Sequence, residues 1–367
     1  MTNTFWKRSF ALVAFLFWID FCSSAQDLGL DPQVVGDVEI VEITNPDIPP
    51  TESNESIYWS HLITRLGSKY MRLRFTVDSE PAVGDATLRV STFSKPNAFS
   101  ISIDASLRGA SFWTPPINAQ RAEVTIVGSE APAGVKLKLD RIAYTTQTGK
   151  LSSIIGLDQR QPIWSELSNP LISRLHSSVA KLSFVVGKKM YVCTGFMVDE
   201  STLVTNEHCV NSQEICDSTT VIFGYQELPD GNVSPGSNYS CSSFIRANFD
   251  LDYALLAVAG NPGATWGHVA FSGSSVSAGE SLFVIQHPAG EPKQVSIQDC
   301  SVSQPVADGR ARGTDFAHTC DTLGGSSGSP IFTLDGRLVG LHHYGRGVGF
   351  WNENRAVRIS QILDGGS

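Results

Sequence analysis

Three side chains of this sequence have the types and the order that nucleophilic catalysis requires: His208, Asp252 and Ser327. Ser327 sits in Gly325-Ser326-Ser327-Gly328-Ser329-Pro330, directly before the apolar run Ile331-Phe332-Thr333-Leu334. Glycines on both sides let backbone N–H groups converge beside its hydroxyl, where they can stabilise the oxyanion formed when a serine attacks a carbonyl. The hydroxyl needs a base to take its proton, and the base needs a carboxylate to orient it. Of eight histidines, His208 follows the apolar stretch Thr202-Leu203-Val204-Thr205 and precedes Cys209. Asp252 stands directly before Tyr253-Ala254-Leu255-Leu256-Ala257-Val258, suited to burial at a strand mouth. Asp250 is its rival, two residues away on the same face of an extended chain. Taken singly, each has a plainer reading: a flexible Gly/Ser turn, a solvated loop histidine, a turn-ending aspartate.

The elements that must hold these residues are strands. Residues 26–56 are polar, acidic and proline-bearing, and read as an extended lead-in. From 57 to 144 the pattern is period-two: Met71, Leu73, Phe75 and Val77 face one side, with Tyr70, Arg72, Arg74 and Thr76 opposite. Short strands of that kind separated by turn residues predict an antiparallel β-sandwich, an accessory domain for binding protein or carbohydrate. Phe112-Trp113 beside Pro115-Pro116 bears on that choice: an exposed tryptophan favours binding, a buried one plain core. Residues 145–178 read as a linker packed across the next domain, which runs from 179 to 367 and is again β-patterned. Asp335-Gly336 between two apolar runs signals a hairpin. The fold class is all-β.

Lys7 and Arg8, the short apolar run 10–18 and the small residues Ser23 and Ala25 predict a signal peptide over residues 1–25. No later segment is apolar enough to predict a membrane anchor, so the expected location is secreted, or periplasmic in a bacterial host. With Cys22 in the signal, six cysteines remain: Cys193, Cys209, Cys216, Cys241, Cys300 and Cys320. An even number in an exported chain suggests disulfides, with fifteen connectivities open. A Cys193–Cys209 bridge would pin two strands beside His208. There is no C-x-x-C pair, so no zinc site and no cofactor are expected. A net charge of −9 argues against nucleic acid as a partner.

Thr205-Asn206-Glu207-His208-Cys209, Asp252-Tyr253-Ala254-Leu255-Leu256 and Gly325-Ser326-Ser327-Gly328-Ser329-Pro330, in that order, resemble the chymotrypsin-like (trypsin-fold) serine proteases. With Gln286-His287-Pro288, they are most similar to the bacterial-type branch of glutamyl and lysyl endopeptidases. The resemblance covers roughly residues 179–360 and implies two β-barrels, polypeptide substrates and an acyl-enzyme mechanism. It makes Ser327 the nucleophile, His208 the general base and Asp252 the orienting carboxylate, with the N–H groups of Gly325 and Ser327 forming the oxyanion hole. It also implies the remaining pairings, Cys216–Cys241 and Cys300–Cys320. Animal members carry an aspartate just before the nucleophile, which pairs with a newly cut N-terminus. Ser326 stands there instead, so activation by that ion pair is not expected.

The resemblance also implies a specificity pocket built from Asp321, Thr322, His342, Tyr344 and Gly345. Asp321 falls where trypsin-like enzymes carry the acid that pairs with Lys or Arg. His342 and Thr322 fall where glutamyl endopeptidases receive an acidic side chain. The two charges oppose one another, and basic preference takes a slight lead. Neighbouring histidines on a strand point oppositely, so His342 and His343 do not share one metal. Tyr344-Gly345 forms the edge on which an extended substrate pairs. A serine or tryptophan is more usual in this stretch, so the support beneath Asp252 is expected to differ from that of the animal enzymes.

Overall fold

Alternation along Met71–Val77 becomes burial in the computed structural model of this protein, which describes residues 32–46, 52–77, 86–130, 135–146, 152–271, 275–346 and 352–364. The signal expected over residues 1–25 lies outside the described residues. Strands β1 (Gln33–Thr44), β2 (Glu52–Thr64), β3 (Met71–Val77), β4 (Ala86–Ser91), β5 (Phe99–Ser102), β6 (Ser111–Trp113), β7 (Arg121–Glu130) and β8 (Leu137–Thr145) form two facing sheets. Their orders are β2-β7-β4-β5 and β1-β8-β3-β6. Met71, Leu73, Phe75 and Val77 pack between them against Leu88, Val90, Val124, Ile126, Leu137 and Leu139. Burial of that apolar area is what holds this cysteine-free half together.

The stretch read as a lead-in is a working strand. Val34, Val38, Ile40 and Ile43 of β1 are interleaved with Asp37, Glu39 and Glu42, and the acidic composition hid the alternation. β1 pairs with β8 on one side and with a strand of the following barrel on the other. The polar face of β3 is also not solvent-facing throughout. Arg72 is only 1% exposed; its guanidinium donates to Ser183 O at 2.9 Å and Thr114 O at 3.1 Å, and stacks over Trp113. Trp113 is thereby half-buried under its own neighbour.

The segment read as a linker contributes β9 (Ser152–Ser153) and β10 (Gln161–Pro162), which pair with strands of the last barrel. Next come β11 (Val179–Val186), β12 (Lys189–Met197), β13 (Thr202–Thr205), β14 (Thr220–Glu227), β15 (Val233–Asn248) and β16 (Tyr253–Val258). The order β11-β14-β15-β16-β13-β12, with β11 also pairing β12, closes a six-stranded barrel. β12 continues outward into β1, so sandwich and barrel share one sheet.

The second barrel contains β17 (Leu282–Gln286), β18 (Gln294–Ser296), β19 (Val302–Ala307), β20 (Asp315–His318), β21 (Thr322–Leu323), β22 (Pro330–Thr333), β23 (Leu338–Tyr344) and β24 (Asn354–Arg358). All but β21 lie in one sheet with β10; β21 pairs with β9. Disulfides join Cys193 to Cys209, Cys216 to Cys241 and Cys300 to Cys320. The first ties β12 to the turn after β13; closing a loop of that length is worth about 3 kcal/mol in the chain-entropy model.

Candidate active site

His208 lies in the turn that leaves β13, and Asp252 in the turn that enters β16; β13 and β16 are paired antiparallel. The pairing brings residues 44 apart in sequence together, with His208 Nδ1 to Asp252 Oδ2 at 2.8 Å. The His208 backbone N–H donates to Asp252 Oδ1 at 3.0 Å, so imidazole and main chain grip the same carboxylate. Asp252 has φ +42°, the left-handed region that short polar side chains tolerate best, and Asn206 Nδ2 donates to its carbonyl at 2.8 Å. Asp252 is fully buried whereas Asp250 is exposed in the same turn, not on a shared strand face. Burial opposes ionisation of Asp252, but His208 and His343 more than offset it and hold its pKa well below the usual carboxylate range.

The turn that carries Ser327 is held from β12. Thr194 N–H donates to Ser327 O at 2.8 Å, and Thr194 Oγ1 donates to Gly325 O at 2.9 Å. Gly325 and Gly328 have φ +93° and +86°. A Cβ on Gly328 would stand 2.0 Å from Thr194 O, so glycine is required there by contact as well as by backbone angle. Among the described residues the N–H groups of Gly325 and Ser327 donate to nothing. Ser326 closes the turn locally: its Oγ accepts from Leu323 N at 3.1 Å and its N–H donates to Leu323 O at 3.0 Å. Ser327 Oγ donates to His343 O at 3.5 Å, and the ring of that same residue contacts Asp252.

The specificity residues part company. Both Asp321 oxygens accept backbone N–H groups from the linker, Ile155 N and Gln159 N, each at 2.9 Å. Two hydrogen bonds thus tie the carboxylate expected to receive a basic side chain to the linker. His342 is buried with Nδ1 3.2 Å from Nε2 of His318. Burial and then its histidine neighbours push the His342 pKa well below 6.5; burial, with Arg355 and His343, takes His318 to about 3. Thr322 is buried, and its hydroxyl has no partner among the described residues. Tyr344 turns its ring onto His343 at 3.7 Å between centroids, and its hydroxyl accepts from Arg310 Nε at 2.7 Å. Gly345 is covered by Ser153, whose Oγ would lie 1.7 Å from a Cβ there, while Ser153 pairs with Thr322. β9 thus pairs with β21 and sets the Ser153 side chain against Gly345.

Arg310, Asp315, His318 and His343 gather round Asp252, Tyr344 and His342, and none was picked out for such a role from sequence. For Asp315, His318 and His343 the one signal is polar residue type at strand positions that are buried; Arg310 lies in a loop and gave none. The Cys193, His208 and Cys209 ligand atoms lie within 4.8 Å of one another, but both sulfurs are committed to the disulfide.

Residues 193–341 match the family model of the trypsin-like peptidase domain. The chain is 28% identical over 216 residues to Secreted RxLR effector protein 73 of Plasmopara viticola, covering 55% of this chain and 53% of that one. It is 26% identical over 188 residues to the glutamyl endopeptidase of Bacillus licheniformis, covering 50% and 55%. The chain spans between a quarter and three-fifths of the length of the curated relatives it matches. A Glu endopeptidase solved in complex with MPD aligns with a TM-score of 0.43 at 20% identity, covering 58% of this chain and 98% of that one.

Proposed function

This chain carries a trypsin-like peptidase domain, and we propose that it is a secreted serine endopeptidase acting through Ser327, His208 and Asp252. The observation that carries this reading is the His208–Asp252 pair at 2.8 Å, together with the Gly325 and Ser327 N–H groups, which have no acceptor among the described residues. Asp252 keeps the His208 proton on Nδ1, which leaves Nε2 free to accept the serine proton and later deliver it to the leaving amine. The Gly325 and Ser327 N–H groups then receive the developing oxyanion; losing one such donor costs about 100- to 1000-fold in turnover.

For the side chain before the scissile bond the geometry supports acidic preference over basic. Asp321 is tied to Ile155 and Gln159, while the Thr322 hydroxyl has no partner among the described residues and His342 Nδ1 lies 3.2 Å from His318 Nε2. Secretion is supported by the three disulfides and by the word "Secreted" in one relative's name. A fluorophosphonate probe tests the reading: label on the wild type that disappears in Ser327→Ala supports it. Absence of Ser327-dependent label turns the assignment to a secreted module that binds carbohydrate or protein.

A further inference from the structure

Asp252 is gripped by more than one histidine. His343 Nδ1 lies 3.1 Å from Asp252 Oδ2, the same oxygen that His208 Nδ1 approaches at 2.8 Å. The other nitrogen, His343 Nε2, lies 2.6 Å from Asp315 Oδ2. Asp252, Asp315 and the His343 ring are all fully buried. A carboxylate on each ring nitrogen leaves no acceptor role for either, so both carry protons and the ring is an imidazolium. Burying that cation between two anions satisfies it, and leaving either anion alone would not.

We propose that His343, charged by Asp315, is a positioning residue that extends the proposed triad into a relay Asp315–His343–Asp252–His208–Ser327. The inference rests on the peptidase reading above. His343 does to Asp252 what Asp252 does to His208: it fixes which oxygen faces where and keeps the group ionised. Arg310 completes the cage from the loop between β19 and β20, with Nη2 3.2 Å from Asp252 Oδ1 and Nη1 2.6 Å from Glu207 Oε2. The other ionisable groups around His343 are Tyr344, stacked on its ring, His342 on the same strand and His318 on β20. Burial lowers the His343 pKa, and Asp315 followed by Asp252 more than reverses this, to about 9. The relay is therefore intact at neutral pH and is lost as pH rises through that value.

The test compares pH profiles of kcat/KM on one peptide substrate for wild type, Asp315→Asn and His343→Ser. The wild-type profile is expected to fall above about pH 9. In Asp315→Asn the fall moves down by roughly one pH unit or more, with KM little changed. In His343→Ser it disappears, at a lower plateau. A fall at the same pH in all three overturns the relay. Should either variant fold poorly, the intact Ser327→Ala protein supplies a second readout. Two low-field ring N–H protons from His343 at pH 8 are expected, and a single one overturns the proposal. Phosphonate labelling separates the failures: no label on wild type sinks the peptidase reading and the relay with it, while label with unchanged profiles sinks the relay alone.

Discussion

The side-chain amide of Asn206 donates to the backbone carbonyl of Asp252 at 2.8 Å, latching the turn that carries the carboxylate to the segment that carries the histidine. This latch separates the two acid candidates. Asp252→Asn is expected to lower kcat by about 10⁴-fold, as loss of the orienting carboxylate does in triads of this kind. Asp250→Asn, exposed and outside the latch, should stay within a fewfold of wild type. Steady-state kinetics of both variants decide it, and the reverse order would move the role to Asp250.

Ser326 closes the turn before Ser327 on Leu323 with a neutral hydrogen bond, and activity is expected not to depend on an ion pair to a free amino group. Proteins with different N-terminal residues ahead of 152 are expected to have equal kcat. A strict need for one particular free terminus would contradict this. Ser326→Ala leaves the buried Leu323 N–H without its side-chain acceptor and should cost about 1–3 kcal/mol in denaturant unfolding, with a matching fall in kcat.

Selectivity should depend on pH through His342. Burial, followed by His318, holds its pKa well below 6.5, so the ring is neutral in the free protein at neutral pH. A substrate carboxylate beside it would raise that pKa, so acidic substrates take up a proton on binding as pH falls. The ratio of kcat/KM for Glu over Gln is expected to rise from pH 8 toward 5.5, and His342→Asn to flatten it. A preference for Lys or Arg in a diverse peptide library would return the role to Asp321.

The junction between sandwich and barrel buries Lys181, its ammonium 5.1 Å from the Tyr70 ring centroid and 4.5 Å from that of Tyr225. Burial, with Lys69 nearby, lowers its pKa to about 7. The folded state thus binds this proton less readily than the unfolded state, and the lysine costs stability that is regained as pH rises from about 7 toward the unfolded value near 10.5. Lys181→Met is expected to raise the Tm at pH 6–7 and to make little difference near pH 10. Thermal unfolding across that range checks it, and a pH-independent change would show that packing rather than charge dominates.

Much of the fold was legible because strand alternation is local. Met71–Val77 and Tyr253–Val258 announce their buried faces in a few residues, and glycines at 325 and 328 announce a turn that no other residue fits. β1 was misread because acidic residues interleave with its apolar ones, and a strand so composed is recognisable only beside its partners.

Residue type, order and spacing by themselves determined the chemistry on offer: a serine among glycines, a histidine and an aspartate each at a strand end, and an even set of cysteines. Only the tertiary structure decided what each charge faces. Asp321 was spent on linker N–H groups, Gly345 was covered by Ser153, and His343 was set between Asp252 and Asp315. The reason is physical: strand patterning is a property of neighbours in sequence, whereas the fate of a buried charge rests on partners tens of residues away.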